Sequence, residues 1–304
     1  MGLSNTGKPG CIPIQSVTSK LIMVPLINED GYPNRVDTFG MPTNLAGWQN
    51  FAYQSEPSFR WFPLPAFENV ELPKADSLFE EANSGRMVFL RQGKRSFKGE
   101  LWGSDSSPVL LSKLQMNRCV AFGVYIVDVY GNLVGLQNRD TDPDRQYLYP
   151  IPVDNPSWDP RYEFATDSTT SKIILSFDFD RLVDEGTMMM ITPAESGIDF
   201  NQLQGMIDAR LGLREDGSAN NTTLEIYAYM DYGTAATPVP IRGLTLNDFY
   251  MYNLTANAVD LPTSVVEVGE NGKYIVTNPF NAGSEFSLKI TKEGYEGIPY
   301  VWIA

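Results

Sequence analysis

Histidine is absent from this chain of 304 residues. Its absence removes Ser-His-Asp and Cys-His nucleophilic catalysis, every His-ligated metal site and the usual switch near neutral pH. Chemistry built on carboxylates or lysine is what remains open. Cysteine occurs twice, at Cys11 and Cys119. One disulfide is conceivable, but the opening residues MGLSNTGKPGCIPIQ lack the basic segment and apolar core of a secretory signal, which favours two free thiols. The same opening matches the loose myristoylation pattern through Gly2 and Thr6, a match that chance readily supplies. Long apolar runs are missing too. None approaches the roughly 18 residues that a membrane helix needs, so no membrane partner is expected. Positive charge is scarce: 23 Lys and Arg stand against 37 Asp and Glu, a net charge of −14. The excess is dispersed along the chain, which reads as a solvated acidic surface or as one that keeps off nucleic acid, because like charges repel.

What is present is apolar and aromatic. Hydrophobic residues make up 42% and charged residues 20%, a globular balance, and 12% aromatics with 25 Gly and 21 Pro favour strands joined by many turns. The clearest pattern is AFGVYIVDVYGNLVG, residues 121–135, which reads as strand, tight turn, strand. Phe122, Val124, Ile126 and Asp128 fall on one side of its first strand, Tyr125 and Val127 on the other, and YGN supplies the turn. Upstream, MVFL and RSFKGELWG read as strands joined by the turn RQGK. SDSSPVLLSKLQMN reads as a helix capped by Ser106 or Ser107, with Pro108 in its first turn and Leu111 and Leu114 on one face. Residues 1–65 hold few regular patterns apart from one strand in SVTSKLIMVPLI. They are equally readable as an arm that wraps a neighbour and as the loop-rich start of a domain. SKIILSFDFDRL and GTMMMITP read as strands, IDFNQLQGMIDARLG as a short amphipathic helix, and LREDGSANN as a linker. After Asn221, short strands at regular spacing predict a small β-sandwich over 222–304. The expected organisation is therefore 1–65, then a β domain over 66–215, then 222–304.

Few constellations carry chemistry. Asp140, Asp142 and Asp144 alternate in RDTDPDR, a spacing that can ligate calcium, but Pro143 and Arg145 replace the flexible positions of such a loop and no terminal Glu follows. Asp178 and Asp180 share one side of a strand, yet nothing else converges on them to make an acid-base pair. GLREDG and GENGKY lack the glycine spacing and the following helix of a phosphate cradle. No catalytic, cofactor-binding or metal-binding residue is assigned. Arg91, Lys94, Arg95 and Lys98 form the densest positive cluster. In so acidic a chain they read better as a patch meeting the acidic loop of a neighbouring subunit than as a nucleic-acid strip, with a solvated hairpin as the plain alternative. Residues 139–170 look like an excursion stiffened by proline. Their Asp140, Asp142, Asp144, Tyr147, Tyr149, Trp158 and Tyr162 join the cluster as a candidate subunit interface.

Two resemblances follow from these stretches. Residues 66–195, from AFENVELPKADSLFEEANSGRMVFLRQGKRSFKGELWG onward, carry the order strand pair, helix, long hairpin, acidic excursion, strand pair. In this they are similar to the tail-tube proteins of tailed bacterial viruses. That resemblance implies a mainly β protein, an antiparallel sandwich or barrel with one or two short helices, whose copies form a ring, hexameric in the family. The rings would stack through loops and an N-terminal arm around a channel that DNA passes without specific binding. It also implies a virion location, other tail proteins as partners, and no enzymatic activity. TPVPIRGLTLNDFYMYNLT and SVVEVGENGKYIVTNPFNAGSEFSLKITKEGYEG resemble bacterial and phage Ig-like modules through Gly243, Leu244, Asp248, Phe249, Gly272, Tyr274, Gly294 and Tyr295. Within this resemblance the hairpin over residues 121–135 would pair with neighbours or line the channel. The alternatives are another head-tail or baseplate structural protein, or a bacterial surface protein that binds glycan by stacking sugars on Trp48, Trp61 and Trp158.

Overall fold

The computed structural model describes residues 12–137, 146–213, 217–234 and 236–304. The fold is mainly β, built from antiparallel sheets with a few short helices, and falls in the sandwich or barrel class that the composition predicts. The chain divides into two compact units. One takes residues 1–49, 63–106 and 115–203, and the other takes 50–62, 107–114 and 204–304.

In the first unit, the strands Val36–Asp37, Tyr147–Tyr149, Leu133–Gln137, Phe122–Asp128 and Thr18–Pro25 lie side by side in that order. The Phe122–Asp128 strand is buried at every residue. Its longest pairing is not with its own hairpin partner but with Thr18–Pro25, in register from Pro25 opposite Phe122 to Lys20 opposite Val127, with a shift before Thr18 meets Asp128. Burial on both faces explains why valine, isoleucine and tyrosine run through it without a polar face. The hairpin over residues 121–135 is thus an inner hairpin, its first strand committed to the chain's own core rather than free to pair with a neighbour or line a channel. The same pairing corrects the arm reading of residues 1–65 at Thr18–Pro25, since Leu21, Ile22 and Val24 are fully buried.

A second sheet orders Asp159–Glu163, Lys172–Asp178, Ser96–Trp102 and Glu68–Glu71. Aromatic rings join the two sheets. Trp158 lies 4.9 Å from Phe122 of the first and 5.3 Å from Phe177 of the second, and Phe97 stacks on Phe177 at 5.0 Å. Each such ring pair adds roughly 0.5–1.5 kcal/mol beyond the area it buries. Residues 147–160 therefore hold core strand and core aromatic and are not an excursion, while residues 163–170 are exposed.

The second unit is a sandwich as well. One sheet orders Ser264–Val268, Lys273–Thr277, Thr223–Gly233, Ile207–Gly212 and Tyr295–Gly297, and the other orders Ala258–Val259, Phe249–Asn253, Glu285–Ile290 and Tyr300–Ile303. Between them Leu224, Ile226, Met251, Tyr274, Phe286 and Leu288 are buried. The helix predicted over IDFNQLQGMIDARLG is a short turn, Phe200–Gln202, followed by the strand Ile207–Gly212. Ala209 and Leu211 alternate inward while the strand pairs with Thr223–Gly233. A period of two over so few residues was overridden by apparent helical spacing, and the division between units falls at 203/204 instead of 215–222. The predicted helix over SDSSPVLLSKLQMN is present as Pro108–Met116, and the Ser107 hydroxyl accepts from the Val109 amide at 3.2 Å.

Candidate assembly surface

Three of the four residues of the basic cluster pair with carboxylates of the same chain, and the fourth, Arg91, lies on an exposed strand. The Lys94 ammonium donates to Asp178 Oδ2 at 2.7 Å and lies 3.6 Å from Asp154. Arg95 Nε donates to Glu185 Oε1 at 2.7 Å, and Lys74 reaches the other oxygen of the same carboxylate at 2.8 Å. Lys98 stands 4.0 Å from Glu71. Lys94, Arg95 and Lys98 thus have partners inside the chain; the Lys94–Asp178 and Arg95–Glu185 pairs are half-buried, and Lys98–Glu71 is an exposed pair. Burial pushes the Asp178 carboxyl up, but hydrogen bonds from Lys94 and Ser96 and the charges of Lys94 and Arg181 outweigh it, so the group titrates below its ordinary value. Hydrogen bonds from Arg95 and Lys74, against a smaller desolvation, hold Glu185 below its ordinary value. Asp180 accepts from the Leu182 amide at 2.8 Å and organises a turn.

The aromatic candidates divide in the same way. Trp158 is 1% exposed. Tyr147 and Tyr149 are half-buried; the Arg35 guanidinium stacks 3.7 Å over the Tyr147 ring and donates to the Tyr149 hydroxyl at 3.2 Å. Tyr162 is half-buried against the exposed Phe164, ring centroids 5.2 Å apart. Asp140, Asp142 and Asp144, like Gly2 and Cys11, lie outside the described residues; Cys119 is an exposed free thiol. Trp48 and Trp61 are buried like Trp158, which removes the proposed sugar-stacking platform. Trp48 donates its indole N–H to the Ser196 carbonyl at 3.2 Å and meets Phe200 edge-on. Among the described residues, no group of three acidic, Cys or His side chains is placed to hold a metal ion. No helix among them is long and apolar enough to cross a membrane.

The feature that sequence reasoning missed lies just before the basic cluster. The strands Leu78–Glu81 and Met87–Arg91 pair with each other as a separate two-stranded sheet. MVFL therefore does not form a hairpin with RSFKGELWG. Instead, Ala75 bonds to Lys94, and Lys74 pairs with Arg95, so RQGK runs along the edge of residues 74–75. The turn that reverses the outer hairpin is ANSG, with Gly85 at φ 75°, a left-handed conformation that glycine adopts without strain. Every residue of both strands is exposed, including Leu78, Phe79, Met87, Val88, Phe89 and Leu90 at 44–58%. Phe79 and Phe89 are directly opposite, ring centroids 5.6 Å apart. The signal in the sequence was LFEE-ANSG-RMVFLR, two β-prone runs about a Gly-containing turn.

The same unit carries an open groove of about 590 Å³. Leu26, Ile27, Pro33, Leu136, Pro150, Pro152, Leu182 and Val183 form most of its wall, and Asp180 and Asp184 supply its charge. Leu182 is 91% exposed and Ile27 61%. Comparison of the chain with protein-family models, characterised proteins and solved structures returns no match.

Proposed function

We propose that this chain is a structural, self-assembling virion protein of a tailed bacterial virus, the tail-tube subunit being the particular reading. Its copies form rings, and the rings stack to enclose a channel for DNA. The observation that carries the reading is the outer hairpin. A two-stranded ribbon is at best marginally stable alone in water, and one that leaves six large apolar side chains in solvent is suited to burial against another chain. A sandwich with a protruding apolar ribbon, few reactive groups and a net charge of −14 agrees with a subunit that builds a conduit without holding DNA. Within this reading the inner hairpin supplies rigidity to the subunit, and assembly falls to the outer hairpin. A head-tail or baseplate position rests on the same observation and differs only in the assembled form. Negative-stain microscopy of the purified chain, with sedimentation across a concentration series, is the test. Rings or tubes with a central channel are expected; monodisperse globules at every concentration would overturn the reading.

A further inference from the structure

We propose that the Lys20 amine attacks the side-chain amide of Asn201, so that the folded chain closes an isopeptide bond on itself and releases ammonia. The bond lies inside one unit and does not depend on self-assembly. Lys20, on the strand Thr18–Pro25, is only 9% exposed. Its nitrogen donates to the Asn201 carbonyl at 3.3 Å and to the Leu203 carbonyl at 2.5 Å, and no ion pair holds it among the described residues. Two carbonyls satisfy both N–H groups of a neutral amine and leave its lone pair unspent. The charged form, buried without a carboxylate partner, is costly. Burial accordingly lowers the pKa of this lysine, against the smaller raising effect of Asp199. A desolvated lysine of this kind is a nucleophile.

The amide it meets belongs to the residue whose carbonyl it already touches. Asn201 Nδ2 is fixed by donation to the Asp128 carbonyl at 3.0 Å, while Asn201 Oδ1 is buried without a partner among the described residues. The Thr18 hydroxyl, opposite Asp128 in the sheet, is likewise buried and unpartnered. It is the donor that the amide oxygen needs as negative charge develops there. Asp199 accepts from the Asn201 backbone amide at 2.8 Å, and its charge acts on Lys20. The intervening Phe200 is fully buried against Trp48, ring centroids 4.8 Å apart, which anchors the turn that carries both residues. The step balances without a co-reactant. The Lys20 lone pair forms the bond to Asn201 Cγ, the Cγ–Nδ2 bond breaks, and one proton passes from Nζ by way of Asp199 to the departing nitrogen, which leaves as ammonia. Lys20 and Asn201 are 181 positions apart, and the unit that holds them ends at Leu203. The bond therefore ties the first strand of that unit to its last turn. It closes a long loop in the unfolded chain, as a disulfide would, and carries a pull on the two ends of the unit past its sheets.

The test is the intact mass of the folded full chain, followed by a proteolytic map. The expected mass is that of the sequence less one ammonia, with the peptide that holds position 20 joined to the peptide that holds position 201. Lys20→Met and Asn201→Ala should each keep their full sequence mass. Both should also run more slowly than the unmodified chain in a denaturing gel, where a closed loop is more compact. Asp199→Asn, with unchanged circular dichroism, should slow the loss of ammonia in freshly made chain by at least about tenfold, the low end of what a proton carrier contributes. A folded chain at its full sequence mass overturns the inference and leaves the proposed function standing. Loss of ammonia with positions 20 and 201 on separate linear peptides also overturns it, since that marks a succinimide at an asparagine such as Asn271, which precedes Gly272. If either variant fails to fold, the mass and map of the unmodified chain still decide.

Discussion

The inner and outer hairpins are both built on β-prone apolar runs and meet opposite fates. Phe122–Asp128 and Leu133–Gln137 are rich in Val, Ile, Leu and aromatics, while Leu78–Glu81 and Met87–Arg91 mix Leu, Phe, Met and Val with Glu80, Glu81 and Arg91. The inner strand is buried at every position, flanked by strands on both sides and covered by Trp158. The outer ribbon is exposed at every position and pairs only with itself. The apolar residues of the two differ in their neighbours, and the outer ribbon also carries Glu80, Glu81 and Arg91. Hydrophobicity says that a strand must be covered, and not whether the cover comes from the same chain. Two small polar features do separate them. The inner turn is tied into the body: the Asp128 carboxylate accepts from the amides of Ser16, Tyr130 and Asn132 and from the Asn132 side chain, at 2.8–3.0 Å. Gly131, at φ 77°, also leaves no room for a side chain, since an added Cβ would fall 2.1 Å from Asp199 Oδ1. The outer turn makes no such ties; around Gly85 the nearest atom to an added Cβ is 3.9 Å away, on Glu81.

The largest effect should come from charging the inner strand. Val124 is fully buried, so Val124→Asp places an unpaired carboxylate in the core and should cost more than about 4 kcal/mol, enough to unfold a unit of ordinary stability. Circular dichroism and urea denaturation would read it, and a folded variant of near-normal midpoint would break the comparison at its root. Next comes Asp128→Ala. It leaves four buried or half-buried donors without their acceptor and should cost about 2–4 kcal/mol in denaturant midpoint. A loss under about 1 kcal/mol would show that water or backbone takes over the turn.

The sequence made some of this legible. The inner hairpin, the strands Lys172–Asp178 and Met188–Ile191, the helix Pro108–Met116 and the sandwich of the second unit all have periodicity or punctuation strong enough to read. What failed was partnership across distance. The register between Thr18–Pro25 and Phe122–Asp128 joins residues about a hundred positions apart, and no local pattern encodes it. The cluster Lys94, Arg95 and Lys98 was legible as charge but not as paired charge, because Asp178 and Glu185 come from another strand and another turn. Trp158 was read as an interface anchor because large aromatics favour interfaces and cores alike. The outer hairpin was obscured because Glu80 and Glu81 interrupt its first strand, which gave the second strand to the wrong partner.

Acid should act on the ties between strands before it acts on the apolar core. Asp178 and Glu185 have folded pKa values held below their ordinary 3.8 and 4.5. The unfolded chain therefore binds these protons first as pH falls. The stabilisation is complete above the ordinary values and is lost as pH drops through them toward the folded values. Because the pairs are partly solvated, each should be worth less than about 1 kcal/mol. Urea midpoints measured between about pH 6 and pH 3 should decline, and the decline should be shallower in Arg95→Ala, which removes the main partner of Glu185. An equal slope in that variant would place the acid sensitivity elsewhere.

The smallest effect on stability should come from the outer hairpin, and its smallness sharpens the comparison most. Phe79 and Phe89 touch each other but are about half exposed and belong to neither sheet of their unit. Under conditions where the chain is monomeric, Phe79→Ser with Phe89→Ser should move the unfolding free energy by no more than about 0.5 kcal/mol, the range of ordinary surface changes. Hydrogen exchange adds a second reading. In the monomer the amides of Leu78–Glu81 and Met87–Arg91 should exchange through local opening, far faster than those of Phe122–Asp128, whose exchange requires the unit to unfold. In the assembled form the outer amides should gain protection while the inner ones stay as they were. A loss above about 1 kcal/mol in the monomer, or protection of the outer ribbon that does not depend on concentration, would mean that this hairpin is covered by its own chain. The two hairpins would then differ in degree and not in kind.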